Sequence, residues 1–108
     1  MKAIVVGPDR GIVDALEAEG VAVTSIEGVA SGERLEDAGV ADADLLVITD
    51  AAEATAIPVA REQNEALKIV AYTPDSMPEF VKGVLDLAVD PALLGAETVA
   101  EELVGPDS

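Results

Sequence analysis

A chain of 108 residues with 22 acidic side chains against six basic ones, net charge −16, is the size of one domain and has no basic patch to neutralise phosphates, which excludes direct nucleic-acid binding. The absence of cysteine and histidine excludes disulfides, thiolate zinc sites, a cysteine nucleophile and the commonest metal ligand and general base. No apolar stretch approaches the roughly 18–20 residues that span a bilayer, so no membrane insertion is expected and the chain reads as cytoplasmic.

The first predicted element is an apolar run, Ala3 to Val6, which reads as a strand. It ends at Gly7-Pro8-Asp9-Arg10-Gly11, after which Ile12, Ala15 and Leu16 recur at helical spacing as far as a stop at Gly20. Val21 to Ile26 is the second strand. Ser31 is placed to cap a second helix through Leu35 and Ala38, and Gly39 to end it. Leu45 to Ile48 is the third strand, followed by Thr49 and by Asp50 as a cap. The third helix runs around Ala54 and Ile57, and Pro58 either kinks it or marks its first turn. Leu67 to Tyr72 is the fourth strand; Thr73 follows it, and Asp75 is placed to cap a helix through Val81 and Val84. Leu85 to Val89 is the fifth strand, and Val99, Ala100 and Leu103 mark a last helix.

Only Tyr72 and Phe80 are aromatic, so the core must be built from Val, Ile, Leu and Ala. Short aliphatic strands alternating with helices imply an α/β fold of three layers, Rossmann-like, with a five-stranded parallel sheet and right-handed crossovers. Residues 1–104 are expected to form this one domain, and residues 105–108 a short tail.

A strand, then Gly7 to Gly11, then a helix is where a dinucleotide fold carries its glycine-rich phosphate turn. Gly7 fills the first glycine position, but Asp9 stands at the second and Ile12 at the third, and a carboxylate there repels phosphate. The stretch IEGVASGERLEDAGVADADLLVITD, residues 26–50, resembles the nucleotide-binding domain of TrkA and RCK potassium-transport regulators. Gly28, Leu35, Ala38, Gly39, Ala43 and Asp44 fall at matching spacing, while Val29 and Gly32 replace acidic residues of that pattern. The resemblance continues through Lys68 to Tyr72 and through Leu87 to Pro91. It implies a fold shortened by one α/β unit, which turns strand order 3-2-1-4-5-6 into 2-1-3-4-5. The acid that holds the adenosine ribose goes with that unit unless Glu27 replaces it. What remains is a ligand site between the first and third strands, with Gly7, Pro8, Asp9, Arg10, Gly11, Thr49, Asp50 and Thr73 as its candidate residues. A full NAD loses half its grip there, and a mononucleotide or no ligand is expected.

Asp9, Asp50, Asp75 and Asp90 all fall at carboxyl ends of predicted strands. Asp50 after Leu46-Val47-Ile48-Thr49, with Thr73 after the fourth strand, also resembles the phospho-acceptor face of a response-regulator receiver domain. A receiver needs an acidic pair after its first strand and a lysine after its fifth, where this chain has Asp9 alone and Val89-Asp90-Pro91. The carboxylates read equally as helix caps, each contributing about 1 kcal/mol. A Mg²⁺ or K⁺ site among Asp9, Asp50 and Asp90 has no support in their spacing. Arg10 is placed either to meet a phosphate or to pair with Asp14.

A domain of this mass exposes roughly 5,600 Å², so its net negative charges stand about 19 Å apart. Repulsion on that scale persists at about 0.1 M salt and is suppressed at 1 M, which points to a protein adapted to molar salt. The expected function is a non-catalytic regulatory or ligand-binding module. It would bind a nucleotide weakly or a protein partner, and could form a homodimer through Val99 or Val104 of the last helix. The alternatives are a degenerate receiver with Asp50 as phospho-acceptor and a nucleotide-linked enzyme related to CTP synthetase, the latter lacking a G-x-x-x-x-G-K-[ST] loop and a glutaminase cysteine.

Overall fold

Leu45–Ile48, buried at all four positions, is the middle strand of the sheet, and the two strands beside it are nearly as enclosed. The computed structural model describes residues 1–105. Its strands are β1 (Lys2–Val6), β2 (Ala22–Ile26), β3 (Leu45–Ile48), β4 (Lys68–Tyr72) and β5 (Leu87–Val89), all parallel, in the order β2-β1-β3-β4-β5. The chain steps outward from β1 to β2, then returns past β1 to β3, which makes the gap between β1 and β3 the switch point of the sheet.

Helices cover both faces. Ile12, Ala15 and Leu16 of α1 (Ile12–Ala18) and Val99, Ala100 and Leu103 of α5 (Ala96–Val104) bury against Ala3, Val5, Leu45, Val47, Val70 and Tyr72. On the opposite face, α2 (Gly32–Asp37), α3 (Ala56–Gln63) and α4 (Glu79–Lys82) bury Leu35, Ile57, Ala60 and Val81 against Ile4, Val6, Leu46, Ile48 and Ile69. The alternation along each central strand sends successive side chains to opposite layers, which is why β3 is apolar at every position.

Most predicted boundaries are met by local chemistry. The α1 terminus forms a Schellman motif, with Gly20 at φ 86 donating to Glu17 O and Val21 donating to Leu16 O. Pro58 is the third residue of α3, so it marks the first turn and leaves no kink. Ser31 caps α2 through its hydroxyl, which accepts from Arg34 N at 3.2 Å. Gly105 donates to Glu101 O at 2.8 Å as the C-cap of α5. The rest of the expected tail, residues 106–108, lies outside the described residues.

Two expectations fail. Asp75 caps no helix: residues 73–75 form a bend, Pro78 is extended at ψ 149, and α4 starts only at Glu79. Val99 is 1% exposed and packs on the sheet, so it is not an exposed dimer contact, and Val104 is partly buried. The residues Ala96, Val99, Ala100 and Leu103 form the i, i+3, i+4, i+7 stripe that a covering helix must turn inward. No helix among the described residues is long and apolar enough to cross a membrane.

Candidate functional site

The β1–α1 turn is locked to the end of β3. Gly7 has φ 110, and a Cβ there would stand 2.5 Å from Thr49 Oγ1 and 3.1 Å from Asp50 Cβ, so only glycine fits. The buried Thr49 hydroxyl donates to the carbonyls of Val6 (3.1 Å) and Pro8 (2.5 Å), sharing its proton between them. Arg10, at φ 50, closes the lock by donating from Nε to Thr49 O at 2.8 Å. The close approach that Gly7 permits is therefore made by this chain's own β3 terminus. Arg10 forms no ion pair with Asp14 among the described residues, which corrects that expectation; its guanidinium is held over β3 instead.

Beyond the turn lies a cleft of about 450 Å³ at the carboxyl ends of β1, β2 and β3. Gly7, Pro8, Asp9 and Asp50 converge on it, joined by Ser25, Glu27, Gly28 and Glu53. Three of its four carboxylates hold backbone amides. Asp9 Oδ1 accepts from Val13 N at 3.1 Å, supplying the cap that Gly11, the residue before α1, cannot. Asp50 Oδ1 accepts from Ala52 N at 2.9 Å and starts a 3-10 turn, Ala51–Glu53. Glu53 Oε1 accepts from Ala30 N at 3.1 Å and ties that turn to the loop before α2. No lysine or arginine lines the cleft, because the nearby Arg34 donates to the Glu27 and Val29 carbonyls.

The remaining candidates lie elsewhere. Gly11 lines a shallow groove between α1 and α5. Thr73 is buried at the end of β4, where its hydroxyl accepts from Asp75 N at 3.2 Å, and it faces a second cleft of about 530 Å³ beside β5. Asp90 lines that second cleft with Oδ1 accepting from Ala92 N at 2.8 Å, so Asp9, Asp50 and Asp90 do not meet around one ion. No group of three or more acidic side chains among the described residues is placed to hold a metal. Ser25 and Glu53 escape sequence reasoning because β2 register and a single long-range hydrogen bond bring them in, and neither leaves a pattern in the chain. Asp90 was recognisable as the residue standing where a receiver carries its lysine.

A parallel sheet in this order, with Asp50 just past β3 and helices on both faces, defines a receiver-like α/β fold. The crystal structure of HP1043, an orphan response regulator of H. pylori, superposes with a TM-score of 0.74 at 13% identity, covering 96% of this chain and 93% of that one. A Burkholderia thailandensis protein assigned to pilus assembly as CpaE matches at TM-score 0.68 and 17% identity, over 96% and 95% of the two chains. A pilus assembly-related protein of Burkholderia pseudomallei, BPSS2195, matches at 0.63 and 19%, over 96% and 87%. Identities this low establish the shared fold alone. The chain belongs to a family of unknown function, DUF7126, whose sequence profile matches residues 3–103. No curated protein matches it.

Proposed function

We propose that this protein is a receiver-like regulatory module that acts by binding a protein partner, without phosphoryl transfer and without a nucleotide. The observation that carries this reading is the state of the strand-end carboxylates. Asp50 follows β3, the place at which a receiver would carry its phospho-acceptor, yet its Oδ1 holds the Ala52 amide, Gly7-Pro8 stand directly after β1, and Asp90 follows β5. A phosphoryl group arriving at Asp50 would meet the carboxylates of Asp9, Glu27 and Glu53, with no lysine in the lining to neutralise its charge. The same four carboxylates work against a TrkA-N-type nucleotide site, since a pyrophosphate at the first turn needs donors and receives acceptors. Like the orphan response regulator whose fold it shares, the chain keeps the regulatory scaffold; here the capping role of Asp50 replaces its chemistry.

The test has two arms. Incubation with acetyl phosphate and Mg²⁺ is expected to leave the intact mass unchanged, and a phosphoryl adduct at Asp50 would overturn the reading. Thermal unfolding in about 2 M KCl is expected to be indifferent to NAD, NADH, ATP and CTP. A ligand at 100 times its Kd adds about 2.7 kcal/mol, so a clear rise in Tm would restore nucleotide binding.

A further inference from the structure

We propose that the groove beside β5 takes an extended, lysine- or arginine-bearing segment of a partner protein, laid along the open edge of that strand with an apolar side chain in the groove. This deepens the regulatory reading above and rests on it.

The groove exists because α4 is a single turn. Four residues of helix cannot roof both β4 and β5, so the small side chains of Ala71 and Ala88 are left as the floor of a space of about 530 Å³, with Met77 and Leu85 among its walls. The outer edge of β5 has no strand beside it among the described residues, and Leu87 and Ala88 are exposed on it. Of the six large hydrophobic residues exposed among the described residues, four, Phe80, Leu87, Leu93 and Leu94, fall in α4, in β5 and in the loop after β5. Leu93 is 80% exposed and Phe80 58%. The opposite edge of the sheet, β2, offers Ala22, Thr24 and Ser25 to solvent and no large anchor.

An edge of this kind pairs with an added strand through its main chain, and side-chain pockets select which strand. Charge selects the occupant here. Asp75, Asp86 and Asp90 line the groove; Asp86 is already paired with Arg61 at 3.4 Å, whereas Asp90 holds only the Ala92 amide and the Asp75 carboxylate makes no hydrogen bond or ion pair among the described residues, so Asp75 and Asp90 carry the rim's unpaired negative charge. The single cation of the lining, Lys82, is held by Glu79 at 3.0 Å. A second copy of the chain would bring the same acids and another net −16 against this rim, whereas a basic segment meets them at contact distance. Contact pairs also survive in molar salt, where the Debye length shrinks to about 3 Å and longer-range attraction is lost.

The probe is a library of random peptides of roughly ten residues, the length of a long strand, selected against the full chain in 2 M KCl. Enriched peptides are expected to alternate Lys or Arg with Val, Ile or Leu, and to shift the amide resonances of residues 85–90 and Asp75. Asp75→Lys, which inverts one rim charge, and Ala88→Arg, which fills the floor, are each expected to weaken binding at least about tenfold while leaving Tm within a few degrees of the parent. Either substitution reports if the other fails to fold. The inference is overturned by failure to enrich, by peptides without basic residues, by shifts centred on the Gly7–Asp50 cleft, or by binding that ignores both substitutions. Those failures leave the mass measurement untouched, so loss of this inference and loss of the regulatory reading are told apart.

Discussion

Tyr72 is the largest fully buried side chain, and its hydroxyl leaves the core only to donate to Leu94 O at 3.1 Å, pinning the loop after β5. Burial pushes its phenol above the ordinary 10.0, with the positive charge of Arg10 opposing in part. The native chain therefore keeps a proton that the unfolded chain gives up. This contribution to stability is intact below pH 10 and is lost as the pH rises through the higher folded value, because deprotonation favours the unfolded state there first. Tyr72→Phe is expected to cost about 1 kcal/mol at pH 7 through the lost hydrogen bond. It is also expected to flatten the decline above pH 10, measured as the urea midpoint at each pH. If parent and variant decline in parallel, the phenol is not the group responsible.

At the scale of elements, Arg61 joins three of them. From the end of α3 it donates through one terminal nitrogen to Glu65 O (2.7 Å) and Leu67 O (2.6 Å), and through the other to Val84 O and Asp86 Oδ2 (both 3.4 Å). It thus fastens the entrances to β4 and β5. Arg61→Ala is expected to destabilise by about 2 kcal/mol, and Arg61→Lys to recover little, since an ammonium cannot reproduce the planar fork. Full recovery by lysine in equilibrium unfolding would show that charge alone matters. The same region marks where sequence reading stops. The first four strands are legible because each is an aliphatic run bounded by turn residues, and the order β2-β1-β3-β4-β5 is the one expected of them. The fifth is two residues shorter than its apolar run, because Asp86 Oδ2 accepts from Ile69 N at 2.7 Å, an alternative partner that no local pattern announces. At the site, Gly7, Pro8, Asp9 and Asp50 were legible from the switch-point rule, whereas Thr73 separates from them because β4 carries it into the other cleft.

The whole molecule carries its −16 largely unneutralised. Among the described residues there are two ion pairs, Arg61–Asp86 and Lys82–Glu79, while Arg10 and Arg34 donate only to backbone carbonyls. Like charges also crowd more closely than their mean spacing. Asp14 and Glu19 of the α1 region line one groove with Glu97 and Glu101 of α5, and no cation shares it. The Debye length of about 10 Å at 0.1 M salt leaves repulsion within one groove weakly screened, and the roughly 3 Å of 1 M suppresses it. That repulsion opposes the helix packing that buries Ile12, Leu16, Val99 and Leu103. Refolding across a KCl series is expected to give a Tm that climbs steeply between 0.1 and 2 M, beyond the general rise any protein shows. Glu97→Lys with Glu101→Lys is expected to raise Tm strongly at 0.1 M and hardly at 2 M, because it removes a repulsion that salt already screens. An equal gain at both concentrations would assign the effect to helix propensity, and full stability of the parent chain at 0.1 M would sink the salt requirement itself.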